Sequence, residues 1–262
     1  MGFATEVGDF FAELARLAGE AVLPYFHTAL EVDNKAREGF DPVTAADRAA
    51  EQSLRSAISQ RYPSHSILGE EFGEQLGTSS LRWIIDPIDG TRSFMSGIPI
   101  WGTLIGLWDG TMPLYGMMSQ PYIGERYIGG NRETHWRRGA ESRILTTRAT
   151  TSLRAATLFA TAPEMFGPDS EAPAFKRLSE QVRMTRYGAD CYAYCALAAG
   201  QLDLVVEAGL GFYDIAALIP IVEGAGGVVT DWQGRAVTGG GRIIAAANPV
   251  IHALALAALG DP

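Results

Sequence analysis

The sequence has little of several features that mark common classes of protein. Its 262 residues include two cysteines and four histidines, and its 21 basic residues are outnumbered by 30 acidic ones. The resulting net charge of −9 argues against nucleic-acid backbones and anionic membranes as partners. No apolar run reaches the roughly 18 residues that a membrane span needs, and acids stand where a signal peptide needs bases. We therefore expect a cytoplasmic globular protein, which would have to attract an anionic substrate through a bound metal ion.

Hydrophobic residues make up 47% of the chain, and no linker or repeat divides it, so we predict a single domain over 1–262. It would have two sub-lobes, at about 1–150 and 151–262. In the first lobe we predict helices over 5–30 and 43–61 and strands over 66–68, 82–86, 100–108, 112–118, 125–130 and 134–139. In the second we predict strands over 156–161, 202–209 and 242–248 and helices over 172–182, 190–200, 213–226 and 249–259. These elements predict an α+β fold with layered sheets covered by helices.

Acidic side chains recur where the predicted strands end or the predicted helices begin. The stretch "WIIDPIDGT" (83–91) carries Asp86 and Asp89, and the others are Asp41, Asp47, Glu70, Glu71, Glu207 and Asp214. Strand ends in layered proteins gather into a cleft, where carboxylates from distant segments meet. Each acid taken alone can be a helix cap or a surface residue. Together, oxygen ligands without a nearby histidine favour Mg²⁺, Mn²⁺ or Ca²⁺ over zinc.

The same short stretch also offers an anion site beside the two acids. Pro87 stiffens the backbone between Asp86 and Asp89, and Gly90 and Thr91 follow at a predicted helix start. Backbone N–H groups at a helix start, together with the helix dipole, favour phosphate. Metal ligands next to a phosphate site suit metal-assisted phosphoryl chemistry.

Four motifs, in this order along the chain, resemble the signatures of the inositol-monophosphatase-like superfamily of Mg²⁺-dependent phosphatases. They are "DPVTAAD" (41–47), "GEE" (69–71), "DPIDGT" (86–91) and "EAGLGFYDIAAL" (207–218). The resemblance implies a layered α-β-α-β-α fold and a homodimer. It also implies a lithium-sensitive phosphomonoesterase with two to three Mg²⁺ ions per subunit, or Mn²⁺ in their place. The implied reaction is direct attack of a metal-activated water on a small phosphate monoester.

The resemblance also implies metal ligands at particular positions of this sequence. Glu70, Asp86 and the backbone carbonyl of Ile88 would hold one ion, and Asp86, Asp89 and Asp214 would hold a second. A weaker third ion would lie near Glu70.

Catalytic and substrate-binding roles follow from the same resemblance. Thr91 would orient the attacking water, with Asp47 hydrogen-bonded to its hydroxyl, so that both join Glu70 as catalytic residues. The N–H groups of Gly90 and Thr91 would bind the phosphate. Glu207 would contact the alcohol half of the substrate.

The segment after the central motif bears on the choice of substrate. At this place, the segment typical of inositol monophosphatases is similar to "GTTNF". This chain has "GTRSF" instead, so Arg92 and Ser93 depart from that pattern. This segment, 119–127 and 188–210 look more like the histidinol-phosphatase branch. Asp190 would then lie near the non-phosphate end of the substrate and, with Glu207, meet the cationic amine or imidazole of histidinol phosphate. Asp190 can alternatively be a helix N-cap.

Several alternatives remain open at this stage. We expect hydrolysis of L-histidinol phosphate to L-histidinol, with inositol-1-monophosphatase or broad sugar-phosphatase activity as the alternative. A metal- or phosphosugar-binding protein without activity is opposed by the intact ligand positions and Thr91. A nucleotide bisphosphate phosphatase would need extra segments to bind a base. Lys35 would approach the metal cleft or stay on the surface, and 132–139 would be a solvated hairpin edge or a subunit contact.

Overall fold

The computed structural model describes residues 6–29, 32–34 and 42–260. The α-helices are α1 Glu6–Val22, α2 Ala45–Arg61, α3 Thr91–Met95, α4 Glu171–Ser179, α5 Asp190–Ala198, α6 Phe212–Ile215, α7 Leu218–Gly224 and α8 Pro249–Leu259. The first ten strands are β1 Val32–Asn34, β2 Pro42–Thr44, β3 Ser66–Gly69, β4 Gly73–Gln75, β5 Arg82–Asp89, β6 Gly102–Trp108, β7 Pro113–Gln120, β8 Glu125–Gly130, β9 Glu133–Arg138 and β10 Glu141–Ile144. The remaining strands are β11 Thr157–Ala160, β12 Met184–Tyr187, β13 Leu204–Leu210, β14 Val228–Asp231 and β15 Gly241–Ala246.

Two large mixed sheets organise these elements. The first has eight strands in the order β10-β9-β8-β7-β6-β5-β3-β4 and is antiparallel except for the β3–β5 pair. The second has five strands in the order β12-β11-β13-β15-β14, with parallel pairing on both sides of β11. The sheet of the N-terminal half is therefore largely antiparallel, and the C-terminal half alternates strands with helices, as predicted.

The buried side chains show that helices and sheets alternate in five layers. Helices α1 and α2 pack on one face of the eight-stranded sheet, where Trp83 and Ile85 contribute to the core. Ile84 lies between them in sequence and faces the opposite way, into a core shared with α5, α6, α7 and the five-stranded sheet. Helices α4 and α8 cover the outer face of that second sheet. The predicted α-β-α-β-α layering is confirmed.

Three predicted helices have different bounds in the structure. The helix predicted over 5–30 ends at Val22, because Pro24 disfavours helical geometry at the residue before it. The helix predicted from 43 starts at Ala45, because Thr44 caps it. The helix predicted over 213–226 is two helices, α6 and α7. Pro220 has no N–H to donate to the carbonyl of Ala216, which accepts a hydrogen bond from Trp108 Nε1 at 3.4 Å instead.

The sequence did not predict several short strands, namely β1, β2, β4, β10, β12 and β14. One of them changes the interpretation of 132–139. Strand β9 pairs with β8 on one side and with β10 on the other, so it is internal and β10 is the edge. The expectation of a hairpin edge at 132–139 was wrong for this reason.

A row of glycines lets the α6–α7 region approach the eight-stranded sheet closely. Gly106, Gly116 and Gly129 are neighbours across β6, β7 and β8. A Cβ atom on Gly116 would lie 1.9 Å from the carbonyl oxygen of Ala217, and one on Gly129 would lie 2.2 Å from that of Pro220. The backbone of the α6–α7 region therefore packs directly against the backbone of the sheet. This packing sets the distance from the sheet to Asp214, which precedes these contacts in α6.

Candidate active site

One strand and one short helix bring three carboxylates together. Strand β5 ends at Asp89 beside its parallel neighbour β3, and α6 presents Asp214 in its first turn. One oxygen from each of Asp86, Asp89 and Asp214 lies within 4.8 Å of the others. Asp86 is 1% exposed. The strand-end carboxylates therefore converge as the sequence predicted.

Glu70 joins this group from the segment that follows β3. Its N–H donates to the carbonyl oxygen of Ile85 on β5 at 3.2 Å, which ties it to the strand that carries Asp86. Burial raises the pKa of Asp86 well above its ordinary value, and the charges of Glu70, Asp89 and Asp214 raise it further. Burial likewise raises the pKa of Asp214, to about 7. The charge of Glu70 thus disfavours the ionisation of both Asp86 and Asp214.

These shifts provide a test of whether the residues fit a metal ion. Carboxylates that raise one another's pKa are stabilised as anions by a cation placed among them. The donors are all oxygen atoms, which suits a hard divalent ion such as Mg²⁺. The residues therefore fit a divalent cation.

Backbone N–H groups hold one oxygen of each of the three clustered aspartates. Asp86 Oδ1 accepts from the N–H of Ile88 at 3.0 Å, and Asp214 Oδ2 accepts from that of Gly211 at 2.7 Å. Asp89 Oδ2 accepts from the N–H of Cys191, at the start of α5, at 2.6 Å. These hydrogen bonds fix the orientation of each carboxylate.

Asp47 and Thr91 make different hydrogen bonds from those expected. Asp47 Oδ2 accepts from the N–H and hydroxyl of Thr44 at 2.8 and 2.6 Å, which completes the capping box of α2. The Thr91 hydroxyl donates to the carbonyl oxygen of Ile88 at 3.1 Å rather than to Asp47. Asp47 Oδ1 is buried and has no hydrogen-bond partner among the described residues. Burial raises the pKa of Asp47, and the charge of Glu70 contributes, so these two carboxyls are close.

The predicted phosphate-binding residues lie at the start of α3, next to Asp190. Gly90 is the N-cap of α3 and has φ +84°, a conformation that favours glycine. A Cβ on Gly90 would lie 2.9 Å from Asp190 Cγ, so a larger residue would collide with that carboxylate. Thr91 is the first residue of the helix, where backbone N–H groups have no acceptor within the helix.

Asp190 combines a left-handed backbone conformation with a side-chain hydrogen bond to α3. It has φ +45°, and its Oδ2 accepts a hydrogen bond from Ser93 Oγ at 2.6 Å. Burial raises the pKa of Asp190, while the Ser93 hydrogen bond and the charge of Arg92 lower it. The N-cap of α5 is Ala189, so the alternative of Asp190 as a helix cap was wrong.

Glu207 is buried in a polar pocket of its own. Its Oε1 accepts from the N–H and hydroxyl of Thr161 at 2.9 and 2.6 Å, and its Oε2 accepts from the Tyr194 hydroxyl at 2.8 Å. Burial raises the pKa of Glu207, and these hydrogen bonds lower it. The carboxylate therefore has a fixed orientation.

A cavity of about 90 Å³ connects these two acids with Asp89 and Asp214. Its lining comprises Asp89, Thr161, Met165, Asp190, Cys191, Tyr194, Glu207, Leu210, Asp214 and Leu218. Asp41 and Lys35, both singled out in the sequence, lie outside the described residues. Sequence reasoning missed Thr161, Met165 and Tyr194, because single uncharged residues in unrelated segments carry no recognisable pattern.

Comparison with known proteins gives consistent matches over almost the whole chain. The sequence model of the inositol monophosphatase family matches residues 4–261. The chain is 40% identical to the chloroplast bifunctional phosphatase IMPL2 of Arabidopsis thaliana, over 97% of this chain and 76% of that protein. It is 36% identical to a histidinol-phosphatase of Chlorobaculum parvum, over 95% of each chain.

A solved structure extends the match to three dimensions. An inositol monophosphatase from Zymomonas mobilis superposes with a TM-score of 0.85 at 38% identity, over 97% of this chain and 99% of that one. No helix within the described residues is long and apolar enough to cross a membrane. The chain therefore belongs to the inositol monophosphatase family and is a metal-dependent phosphoric monoester hydrolase that acts on small phosphorylated substrates.

Proposed function

We propose that this enzyme uses Mg²⁺ to hydrolyse L-histidinol phosphate to L-histidinol, a step of histidine biosynthesis. The observation that carries the proposal is the shared cavity, in which Asp190 and Glu207 stand beside Asp89 and Asp214. Histidinol phosphate is anionic at one end and cationic at the other, and carboxylates beyond the metal site match the cationic end. The similarity to a histidinol-phosphatase at 36% identity supports the same choice.

We assign the metal ligands as the family resemblance implies. Glu70, Asp86 and the carbonyl of Ile88 would hold one Mg²⁺, and Asp86, Asp89 and Asp214 a second. A third ion would bind near Glu70, and Mn²⁺ could replace Mg²⁺. Such ions supply the positive charge that activates water and stabilises the leaving oxygen.

The chain's own residues would then position water and phosphate. Glu70 and the Thr91 hydroxyl would orient the attacking water. The buried Oδ1 of Asp47, which has no partner among the described residues, is available as a further hydrogen-bond acceptor close to Glu70. The N–H groups of Gly90 and Thr91 would bind the phosphate oxygens, as expected of a helix start.

The two substrate acids differ in how much bonding capacity they retain. A carboxylate has about four acceptor positions. Glu207 receives three hydrogen bonds from the protein, which leaves about one position, whereas Asp190 accepts a hydrogen bond from Ser93 and lies near the charge of Arg92. We expect Asp190 to make the stronger contact with the ammonium group and Glu207 to complete it.

Replacing each acid by its amide tests this assignment. Asp190→Asn and Glu207→Gln should lower kcat/KM for histidinol phosphate relative to glycerol phosphate, which lacks the ammonium. A charged hydrogen bond is worth roughly 1.5–3 kcal/mol, or about 10–150-fold in that ratio. Asp86→Asn serves as the control, since it should lower both rates by a similar factor. An unchanged ratio in both amide variants would contradict recognition of a cation.

The second candidate is an inositol monophosphatase or a broad sugar phosphatase. The similarity to an inositol monophosphatase structure at 38% identity favours it. Inositol offers only hydroxyls, so it gives the second pair of carboxylates less to bind. A panel with Mg²⁺ that includes histidinol phosphate, inositol monophosphate and glycerol phosphate distinguishes the two. We also propose a homodimer, which sedimentation of the purified protein tests.

A further inference from the structure

A further buried carboxylate, Glu51, lies beside the site without belonging to the cluster of acids. It is on α2, one helical turn after Asp47, and its exposed fraction is 0%. Its Oε1 accepts from Arg55 Nε at 2.7 Å, and the Arg55 side chain is 13% exposed. A buried acid of this kind needs a structural or functional reason, because removing a carboxylate from water is unfavourable.

Glu51 binds the segment that carries Glu70. Its Oε2 accepts from the N–H of Glu71 at 2.7 Å, and its Oε1 accepts from that of Phe72 at 3.2 Å. Arg55 holds the far end of the same segment, since its Nη2 donates to the carbonyl oxygen of Gly73. The residues immediately after Glu70 are therefore fixed to α2.

The residue before Glu70 is shaped around the same carboxylate. A Cβ on Gly69 would lie 1.9 Å from Glu51 Oε1, and the three atoms nearest to that Cβ all belong to Glu51. The N–H of Glu70 is bound to the Ile85 carbonyl of β5. The residues on both sides of Glu70 therefore contact Glu51: Gly69 packs against its carboxylate, and the N–H of Glu71 donates to it. The N–H of Glu70 itself is bound to the eight-stranded sheet.

We infer that Glu51 is a positioning residue that sets the backbone of residues 69–72 and thereby the place of Glu70 at the metal site. The inference rests on the proposed role of Glu70 as a metal ligand. Glu51 contacts neither metal nor substrate. It acts through two backbone hydrogen bonds, and Arg55 balances its charge and extends the contact to Gly73.

Mg²⁺ binding to the purified protein, measured by calorimetry, tests this role separately from turnover. Glu51→Gln keeps the size of the side chain but turns one acceptor atom into a donor that faces other donors. We expect the Kd for Mg²⁺ to rise about 10–100-fold, the usual effect of losing a group that orients a metal ligand. Glu20→Gln is the matched control, because Glu20 also pairs with an arginine one helical turn away, at 2.7 Å, but on the surface of α1.

A second control separates positioning from general stability. Ile58 is a core residue on the buried face of α2. Ile58→Val should lower the melting temperature and leave the Kd for Mg²⁺ unchanged. A Glu51→Gln protein whose Kd shifts no more than that of Ile58→Val overturns the inference. If wild type itself does not bind Mg²⁺, the proposed function fails instead.

A double-mutant cycle checks that the effect passes through the Glu51 carboxylate. Gly69→Ala alone should weaken Mg²⁺ binding, because its methyl group displaces that carboxylate. Added to Glu51→Ala, it should change the Kd no further. If Gly69→Ala raises the Kd for Mg²⁺ equally in wild type and in the Glu51→Ala protein, the inference is overturned. Should Glu51→Gln not fold, Arg55→Lys replaces it: a raised Kd supports the inference and an unchanged Kd overturns it.

Discussion

The stability of the metal-free protein should reveal the cost of keeping the buried Asp214 carboxylate ionised. Burial raises the pKa of this carboxyl from 3.8 to about 7, and the charge of Glu70 contributes. A carboxyl that holds its proton more tightly in the folded state destabilises that state once the pH exceeds its unfolded pKa. The free energy of unfolding in EDTA should therefore fall as the pH rises from about 4 to about 7.

The size of the effect follows from the shift. The rise of the Asp214 pKa from 3.8 to about 7 corresponds to at most about 4 kcal/mol, and this figure is a ceiling because neighbouring carboxyls titrate together with Asp214. Asp214→Asn removes the charge, while its amide oxygen can still accept the 2.7 Å hydrogen bond from Gly211. In EDTA, the variant should be more stable than wild type at pH 7 and equally stable near pH 4.

Urea unfolding in EDTA across this pH range measures the difference between the two proteins. Asp109→Asn is the control of opposite sign, because hydrogen bonds from Thr111 and Met112 lower the pKa of this exposed carboxyl. Asp109 therefore stabilises the fold above its unfolded pKa, and this stability is lost as the pH falls through its folded pKa. With Mg²⁺ present, wild type should be more stable than Asp214→Asn, because Mg²⁺ binding stabilises wild type and the variant loses that binding energy. A pH-independent difference between wild type and Asp214→Asn would refute the reasoning.

Three further predictions concern the metal and the support of the site. EDTA should abolish phosphatase activity and Mg²⁺ should restore it; full activity in excess chelator would exclude the metal assignment. Asp86→Asn should reduce kcat/KM at least about a hundredfold, because it weakens two charged contacts of roughly 1.5–3 kcal/mol each; near-normal turnover would show that Asp86 is not shared between ions. Gly116→Ala should reduce both the free energy of unfolding and Mg²⁺ affinity, measured by urea unfolding and calorimetry.

The clustering of acids was predictable because the signals were local. Asp86 and Asp89 follow one apolar run, Glu70 follows another, and parallel neighbouring strands place such ends side by side. The layered fold followed from the resemblance of four short motifs. All nine predicted strands were also found, since short apolar runs bounded by turn residues are typical of buried strands.

The residues that support the acids could not be predicted in the same way. Ser93 reaches Asp190 across 97 positions, and Thr161 reaches Glu207 across 46. A serine or threonine is common in any segment, so its partner becomes visible only when the chain has folded. Glu51 was hidden differently, because an acid within an amphipathic helix usually lies on the solvated face, whereas this one is buried.

The split between α6 and α7 did carry a signal, in Pro220, but its consequence depended on glycines far away in sequence. Gly116 allows the carbonyl of Ala217 to approach within 1.9 Å of where a Cβ would stand, three residues after Asp214. Because the neighbouring atom is backbone, Gly116→Ala must shift the helix, and such overpacking costs typically about 1–3 kcal/mol. That shift moves Asp214, so Mg²⁺ affinity should fall together with stability. Gly239→Ala is the matched control, since its methyl group would meet nothing within 4 Å. Weaker stability with unchanged Mg²⁺ affinity in Gly116→Ala would show that the glycine row supports the fold without setting the metal site.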